Sequence, residues 1–138
     1  MNRRSWSRFV RRNYWKLKQL HIDLDNMNTI RFQSQETLKH RLAKKAICHY
    51  LFENSHFFKT EQKIRAGICD VIDLNNLIIY EVESYPTPKT EMEKLEQYRH
   101  PLIEDIVIID LRKLDFDWYE LVRFSDEIKK KVNLDTWF

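Results

Sequence analysis

The stretch Gly67-Ile68-Cys69-Asp70-Val71-Ile72-Asp73-Leu74-Asn75-Asn76-Leu77-Ile78-Ile79-Tyr80-Glu81-Val82-Glu83 decides the fold. Two runs rich in β-branched residues, 68–74 and 77–83, flank Asn75-Asn76, and asparagine tolerates the positive φ that a type I′ hairpin turn demands. A two-residue loop sets the register. Leu74 then faces Leu77, Asp73 faces Ile78, Ile72 faces Ile79, Val71 faces Tyr80 and Asp70 faces Glu81. Side chains alternate along a strand, so Leu74, Ile72 and Asp70 share one face with Leu77, Ile79 and Glu81. Glu83 points to the same side. Three carboxylates converge, with the Cβ atoms of Asp70 and Glu81 roughly 4.5–5.5 Å apart. Like charges in direct opposition are destabilising, and a hard divalent cation, which takes oxygen ligands, offsets that repulsion. The plainer alternative is a sheet edge opening into solvent with its acids hydrated.

Upstream of the hairpin, Ser34 is expected to cap a helix running to about residue 54, with Leu38, Leu42, Ala43, Ala46, Ile47, Tyr50 and Leu51 as its apolar stripe. Residues 57–64 read as a strand, and Gly67, the only glycine, allows the next turn. Downstream, Thr87 and Pro88 start a helix that reaches about His100, where Pro101 stops it. Residues 103–111 contain a continuous apolar run, the mark of a strand buried on both faces. A last helix over 117–132 carries a capping box in Asp117 and Glu120. The order is helix, three strands, helix, strand, helix, which predicts an α/β sandwich around a mixed sheet, with the 77–83 and 103–111 strands parallel.

The formal net charge of +3 divides unevenly: residues 1–22 carry +7 with no acid, leaving −4 for the rest. Trp6, Phe9, Val10, Tyr14 and Leu17 recur at helical spacing, so this segment is expected to form a basic amphipathic helix. Such a helix fits a nucleic-acid backbone, an anionic membrane or a docked position on the core with a solvated basic face. Its stripe Trp6, Phe9 and Tyr14 also suits a homodimer interface. A single glycine excludes Gly-rich phosphate loops. No apolar run is long enough to span a membrane, and the basic start does not read as a secretory signal. Cys48 and Cys69 read as reduced core thiols of an intracellular, cytoplasmic protein. The scattered histidines do not suggest a His-rich metal site.

The run 36–111 resembles the PD-(D/E)XK nuclease superfamily, which includes restriction endonucleases, archaeal Holliday-junction resolvases and RecB-type nucleases. The element order matches, Asp70 stands where the family has its Asp, and Glu81 opens the (D/E)-x-K motif. Cys69 replaces the Pro, and Glu83 replaces the Lys. The resemblance implies one restriction endonuclease-like domain over 1–138, with a three-layer α/β/α core and a four-stranded mixed sheet. The basic helix (1–22) would precede a catalytic core (34–111), and a C-terminal helix (115–138) would follow. It implies Mg²⁺ (or Mn²⁺) held by Asp70, Glu81 and the main-chain carbonyl of Val82. Glu83 would bind or activate water, Glu36 would act from the first helix, and Lys94 would reach back from the following helix in place of the motif Lys; the simpler expectation pairs Lys94 with Glu91. Phosphates would meet Arg3, Arg4, Arg8, Arg11, Arg12, Lys16, Lys63 and Arg65. The activity implied is that of an endonuclease hydrolysing DNA phosphodiesters with a metal, RNA being left open as the substrate. Two alternatives stand beside it: a nuclease-like module that binds nucleic acid without cutting, and an assembly protein docked through the basic aromatic helix.

Overall fold

The computed structural model describes residues 3–114 and residue 130. Helix α1 (Arg3–Gln19) is followed by α2 (Leu38–Glu53), the strands β1 (Phe58–Ile64), β2 (Gly67–Asp73) and β3 (Ile78–Glu83), then α3 (Pro88–Tyr98), β4 (Asp105–Asp110) and a single 3₁₀ turn at Leu111–Lys113. The expected helix over 117–132 lies outside the described residues. The sheet order is β1-β2-β3-β4, with β1–β3 an antiparallel meander and β4 parallel to β3. This is an α/β protein, and α3 makes the connection that a parallel pair requires.

Local chemistry explains the element boundaries. Thr37, not Ser34, caps α2: its side chain accepts from the His40 N–H. Residues 34–36 therefore stay outside the helix, and Glu36 sits just before it. At α3, Thr87 and Thr90 satisfy each other's backbone N–H groups and Pro88 occupies the first turn. The hairpin keeps the expected register, with Val71 opposite Tyr80, Ile72 opposite Ile79 and Asp73 opposite Ile78. Its turn is built differently. Leu77, not either asparagine, takes the positive φ, at 55°. The Asp73 carboxylate accepts the N–H groups of both Asn75 and Asn76, while Asn75 Oδ1 accepts from the Phe57 N–H. Gly67 is likewise not the left-handed turn residue; that is Arg65, at 54°. Gly67 makes room instead, since a Cβ there would stand 2.1 Å from Gln97 Nε2.

Helices pack on both faces of the sheet. Ile72, Leu74, Leu77 and Ile79 join Phe9, Leu17 and Leu20 of the N-terminal segment and Tyr98 of α3 in the largest apolar cluster. Val71, on the other face, packs with Cys48 and Leu51 of α2, and Val82 packs with Ala43. Each fully buried side chain of this kind contributes roughly 1.5–3 kcal/mol. The loop from Asp23 to Arg31 runs beside β1: Asn28 exchanges hydrogen bonds with Phe58, and the Thr60 hydroxyl bonds Thr29 and Arg31. It covers what would otherwise be an exposed strand edge.

Three apolar stripes differ from expectation. In α1 the buried positions are Phe9, Asn13 and Leu17, while Tyr14 and Trp15 face solvent. Trp6 and Phe9 pack against Phe57, and of the stripe Trp6, Phe9 and Tyr14 only Phe9 is fully buried. In α2, Leu38, Ala46 and Tyr50 are exposed, and Lys44 and Cys48 are buried. Strand β4 is half-buried rather than enclosed on both faces, because it is the outer strand of the described sheet. Both cysteines are free and buried, and burial pushes the Cys48 thiol up to about 12. No helix among the described residues is long and apolar enough to cross a membrane.

The Asp73 carboxylate, almost fully buried, also bonds the His56 ring at 2.9 Å. Replacing Asp73 with Ala orphans two N–H groups and an imidazole, and should destabilise the chain by about 2–3 kcal/mol in urea denaturation. Asp73→Asn, which keeps one acceptor, should cost about half as much.

Candidate metal centre

Two irregularities in the sheet create the site. Thr60 pairs with Val71 and Gln62 with Cys69, but Glu61 and Asp70 between them stand outside the ladder. Glu61 has a φ of 51°. Strict alternation would send Asp70 to the face opposite Val71. Instead both turn towards α2: Val71 packs on Cys48, and Asp70 Oδ2 lies 3.6 Å from His40 Nε2. Cys69 and Ile72 accordingly share the other cluster. The expectation that Asp70 shares a face with Ile72 is therefore corrected.

The two motif acids still meet, because β2 and β3 cease to pair at this point. Their ladder ends at Val71 and Tyr80. Beyond it the carboxylates take the backbone donors: the Val82 N–H donates to Asp70 Oδ2 at 2.7 Å, and the Asp70 N–H to Glu81 Oε2 at 3.2 Å. Glu81 is almost fully buried on the side of α3, where the Tyr98 hydroxyl lies against it and donates to the Ile68 carbonyl. Lys94 Nζ stands 3.6 Å from Glu81 and 3.7 Å from Glu83. Lys94 thus reaches back to the strand, and its ion pair is with these two acids.

On the α2 side, Glu36, His40 and Asp70 each offer a ligand atom within 4.8 Å of the others. Lys44 is buried completely behind them. Its ammonium bonds Glu36, Glu61 and the Arg31 carbonyl. Neither His40 nor Lys44 was expected at the site. A signal for each exists: His40 is four residues from Glu36, and Lys44 precedes the buried Cys48 and Leu51 by four and seven residues, on the same helical stripe. Glu61 carried no such signal, since its orientation follows from the break in alternation.

The electrostatics separate the two acids. Burial, then the hydrogen bond and charge of Asp70, push the Glu81 carboxyl up to about 8. Burial also acts to raise Asp70, but hydrogen bonds from His40, Glu81 and the Val82 N–H outweigh it and hold that carboxyl low. The proton of the pair resides on Glu81. His40 is raised, mainly by its hydrogen bond to Asp70 and against its own burial. For Glu36, burial is outweighed by Lys44, and its carboxyl is lowered.

The donor set fits a divalent cation. Among the described residues, Glu81 Oε1, Glu36 Oε2 and His40 Nδ1 are buried atoms without a hydrogen bond; Glu36 Oε2 and His40 Nδ1 lie 3.4 Å from each other, and Lys94 Nζ lies 3.6 Å from Glu81 Oε1. Such atoms are costly unless something else satisfies them. Oxygen ligands suit Mg²⁺, and the imidazole adds affinity for Mn²⁺.

The basic residues are distributed elsewhere. Arg3 opens α1, and Arg4, Arg8, Arg11, Arg12 and Lys16 are exposed along it. Lys63 and Arg65 lie exposed at the β1–β2 turn, where Arg65 bonds the Arg99 carbonyl. The structure thus gathers Asp70, Glu81, Glu83, Glu36 and Lys94, with the Val82 N–H among them. It does not bring the α1 arginines to the acids.

The raised Glu81 has a signed consequence for stability. The folded chain holds this proton from its ordinary value near 4.5 up to about 8, where the unfolded chain has released it. Glu81 therefore stabilises the fold fully below pH 4.5, and that contribution falls as pH rises towards 8, with a limiting slope of about 1.4 kcal/mol per pH unit. In EDTA, urea denaturation between pH 5 and 8 should show stability falling, and Glu81→Gln should remove most of the slope. An identical slope in both proteins would mean that Glu81 is already ionised.

Comparisons with protein-family models, with curated proteins and with solved structures found no match to this chain.

Proposed function

We propose that this protein is a metal-dependent nuclease that hydrolyses DNA phosphodiester bonds, on a restriction endonuclease-like α/β/α core. One observation carries the reading: the Asp70 and Glu81 carboxylates sit side by side where β2 and β3 part, with a buried Glu81 oxygen left without a hydrogen bond. Asp70, Glu81 and the Val82 carbonyl would hold the metal, with Glu36 and His40 adjoining. A divalent cation there supplies Lewis acidity and a more acidic bound water.

The chain's own groups divide the remaining work. Glu83, partly exposed beside Lys94, accepts the proton of the attacking water. A carboxylate at that position cannot neutralise charge on a phosphorane, and the Lys94 ammonium does so from α3. Glu81 would have to lose its proton to hold a metal, so metal affinity should rise with pH up to about 8. Lys63 and Arg65 hold flanking phosphates as point charges.

A second reading has a specific observation in its favour. Lys94 Nζ stands 3.6 Å from Glu81 and 3.7 Å from Glu83, so an internal cation is already beside these acids. This supports a nuclease-like module that binds DNA without cutting.

Supercoiled, linear, single-stranded and branched DNA incubated with Mg²⁺, Mn²⁺ or EDTA separates the two. The nuclease reading expects metal-dependent cleavage that falls to background in Asp70→Ala and Glu81→Ala, and by about 10²–10³-fold in Lys94→Met. Cleavage unchanged in the acid variants would remove Asp70 and Glu81 from the mechanism. No cleavage of any substrate, with salt-sensitive binding retained, would establish the binding module instead.

A further inference from the structure

The outward face of α1 is used by neither the core nor the acidic site. Arg4, Arg8, Arg11, Trp15 and Lys18 recur at intervals of three and four residues, which places them on one stripe of the helix. All five are exposed, and Trp15 is 64% accessible. At 1.5 Å per residue the stripe runs about 20 Å. Arg4, Arg8, Arg11 and Arg12 also line a shallow groove of about 570 Å³. Trp15 has Arg11 and Arg12 one turn before it and Lys18 one turn after it, so its ring stands among cations.

This composition selects among anionic partners. A helix that lies in a membrane surface inserts an apolar face. In α1 the Phe9 and Leu17 part of that face is already buried against this chain's own core. What remains outward is guanidinium and ammonium groups around exposed aromatic rings, of which Trp15 is the most open, ahead of Tyr14 at 52% and Trp6 at 39%. Guanidinium groups hold phosphates, and an indole offers a stacking surface. Bases in a duplex are already stacked on one another, so an indole gains a partner only where bases are unpaired.

We propose that the outward face of α1 binds single-stranded nucleic acid, with Arg4, Arg8 and Arg11 on successive phosphates and Trp15 stacked on an unpaired base. The proposal deepens the nucleic-acid reading above by naming single strands as the class held. It does not need the metal centre, so binding measured in EDTA tests it apart from any cleavage.

Fluorescence anisotropy of labelled oligo(dT), oligo(U) and a duplex of matched length, titrated with the full chain in EDTA, provides the test. Trp15→Ala should weaken single-strand binding by roughly 5- to 100-fold and leave duplex binding within about twofold. Trp15→Phe, which keeps a ring, should retain most of the affinity. The pair Arg8→Gln and Arg11→Gln should weaken both ligands and reduce the single-strand salt slope by about 1.4. Comparable binding of oligo(dT) and oligo(U) would support the shared backbone-and-stacking chemistry. Three outcomes would overturn the proposal: single-strand affinity unaffected by Trp15→Ala, duplex affinity falling equally, or stronger binding to phosphatidylcholine–phosphatidylserine vesicles than to either oligonucleotide. All three positions are exposed, so the variants should keep the wild-type circular dichroism spectrum.

Discussion

The site depends on the point where β2 and β3 stop pairing. Two backbone N–H groups that a continuous ladder would have used, those of Asp70 and Val82, instead donate to the carboxylates of Glu81 and Asp70. The fork therefore leaves these donors satisfied, and it fixes the acids against each other without side-chain freedom to separate them. Carboxylates so placed repel, and the chain answers in two ways: one of them keeps its proton, and Lys94 stands nearby.

The second constraint is the paired irregularity at Glu61 and Asp70. By turning both side chains towards α2, it joins the strand acids to a set supplied by the helix and the segment before it. Lys44 holds that set together from beneath. Its burial would be prohibitive alone, but three oxygen acceptors surround it and keep its pKa high. Glu36 is held by this lysine on one oxygen, and its other oxygen lies 3.4 Å from His40 Nδ1. The α2 side and the α3 side of the sheet thus meet at a single carboxylate, Asp70.

The charge asymmetry acquires a physical meaning from packing. The N-terminal segment is both a core element and a cationic surface, because Phe9 and Leu17 dock it and the arginines are left outward. That docking buries Phe9 and Leu17 and leaves Tyr14 and Trp15 facing solvent. It also leaves the arginines outward on α1 while the acids gather where β2 and β3 part.

Element order, hairpin register and the meeting of Asp70 with Glu81 were legible in the residues. Strand alternation and turn spacing are local, and the two β-branched runs around Asn75-Asn76 admit few alternatives. Local caps were legible where the competing residue was absent, as at Thr87, and misread where two candidates stood close together, as at Ser34 and Thr37. The turn chemistry was not legible, because Asp73 rather than an asparagine organises it. Nor were the outward turn of Tyr14, the burial of Lys44, or the addition of His40 and Glu61 to the site. Each depends on which face a neighbouring element covers. The amino-acid sequence by itself determined the hairpin register, and with it the nearness of Asp70 and Glu81, but not the face that Asp70 takes. Only the tertiary structure decided which cations and which histidine would stand beside them, because those contacts form between elements far apart in the chain and are set by packing rather than by period.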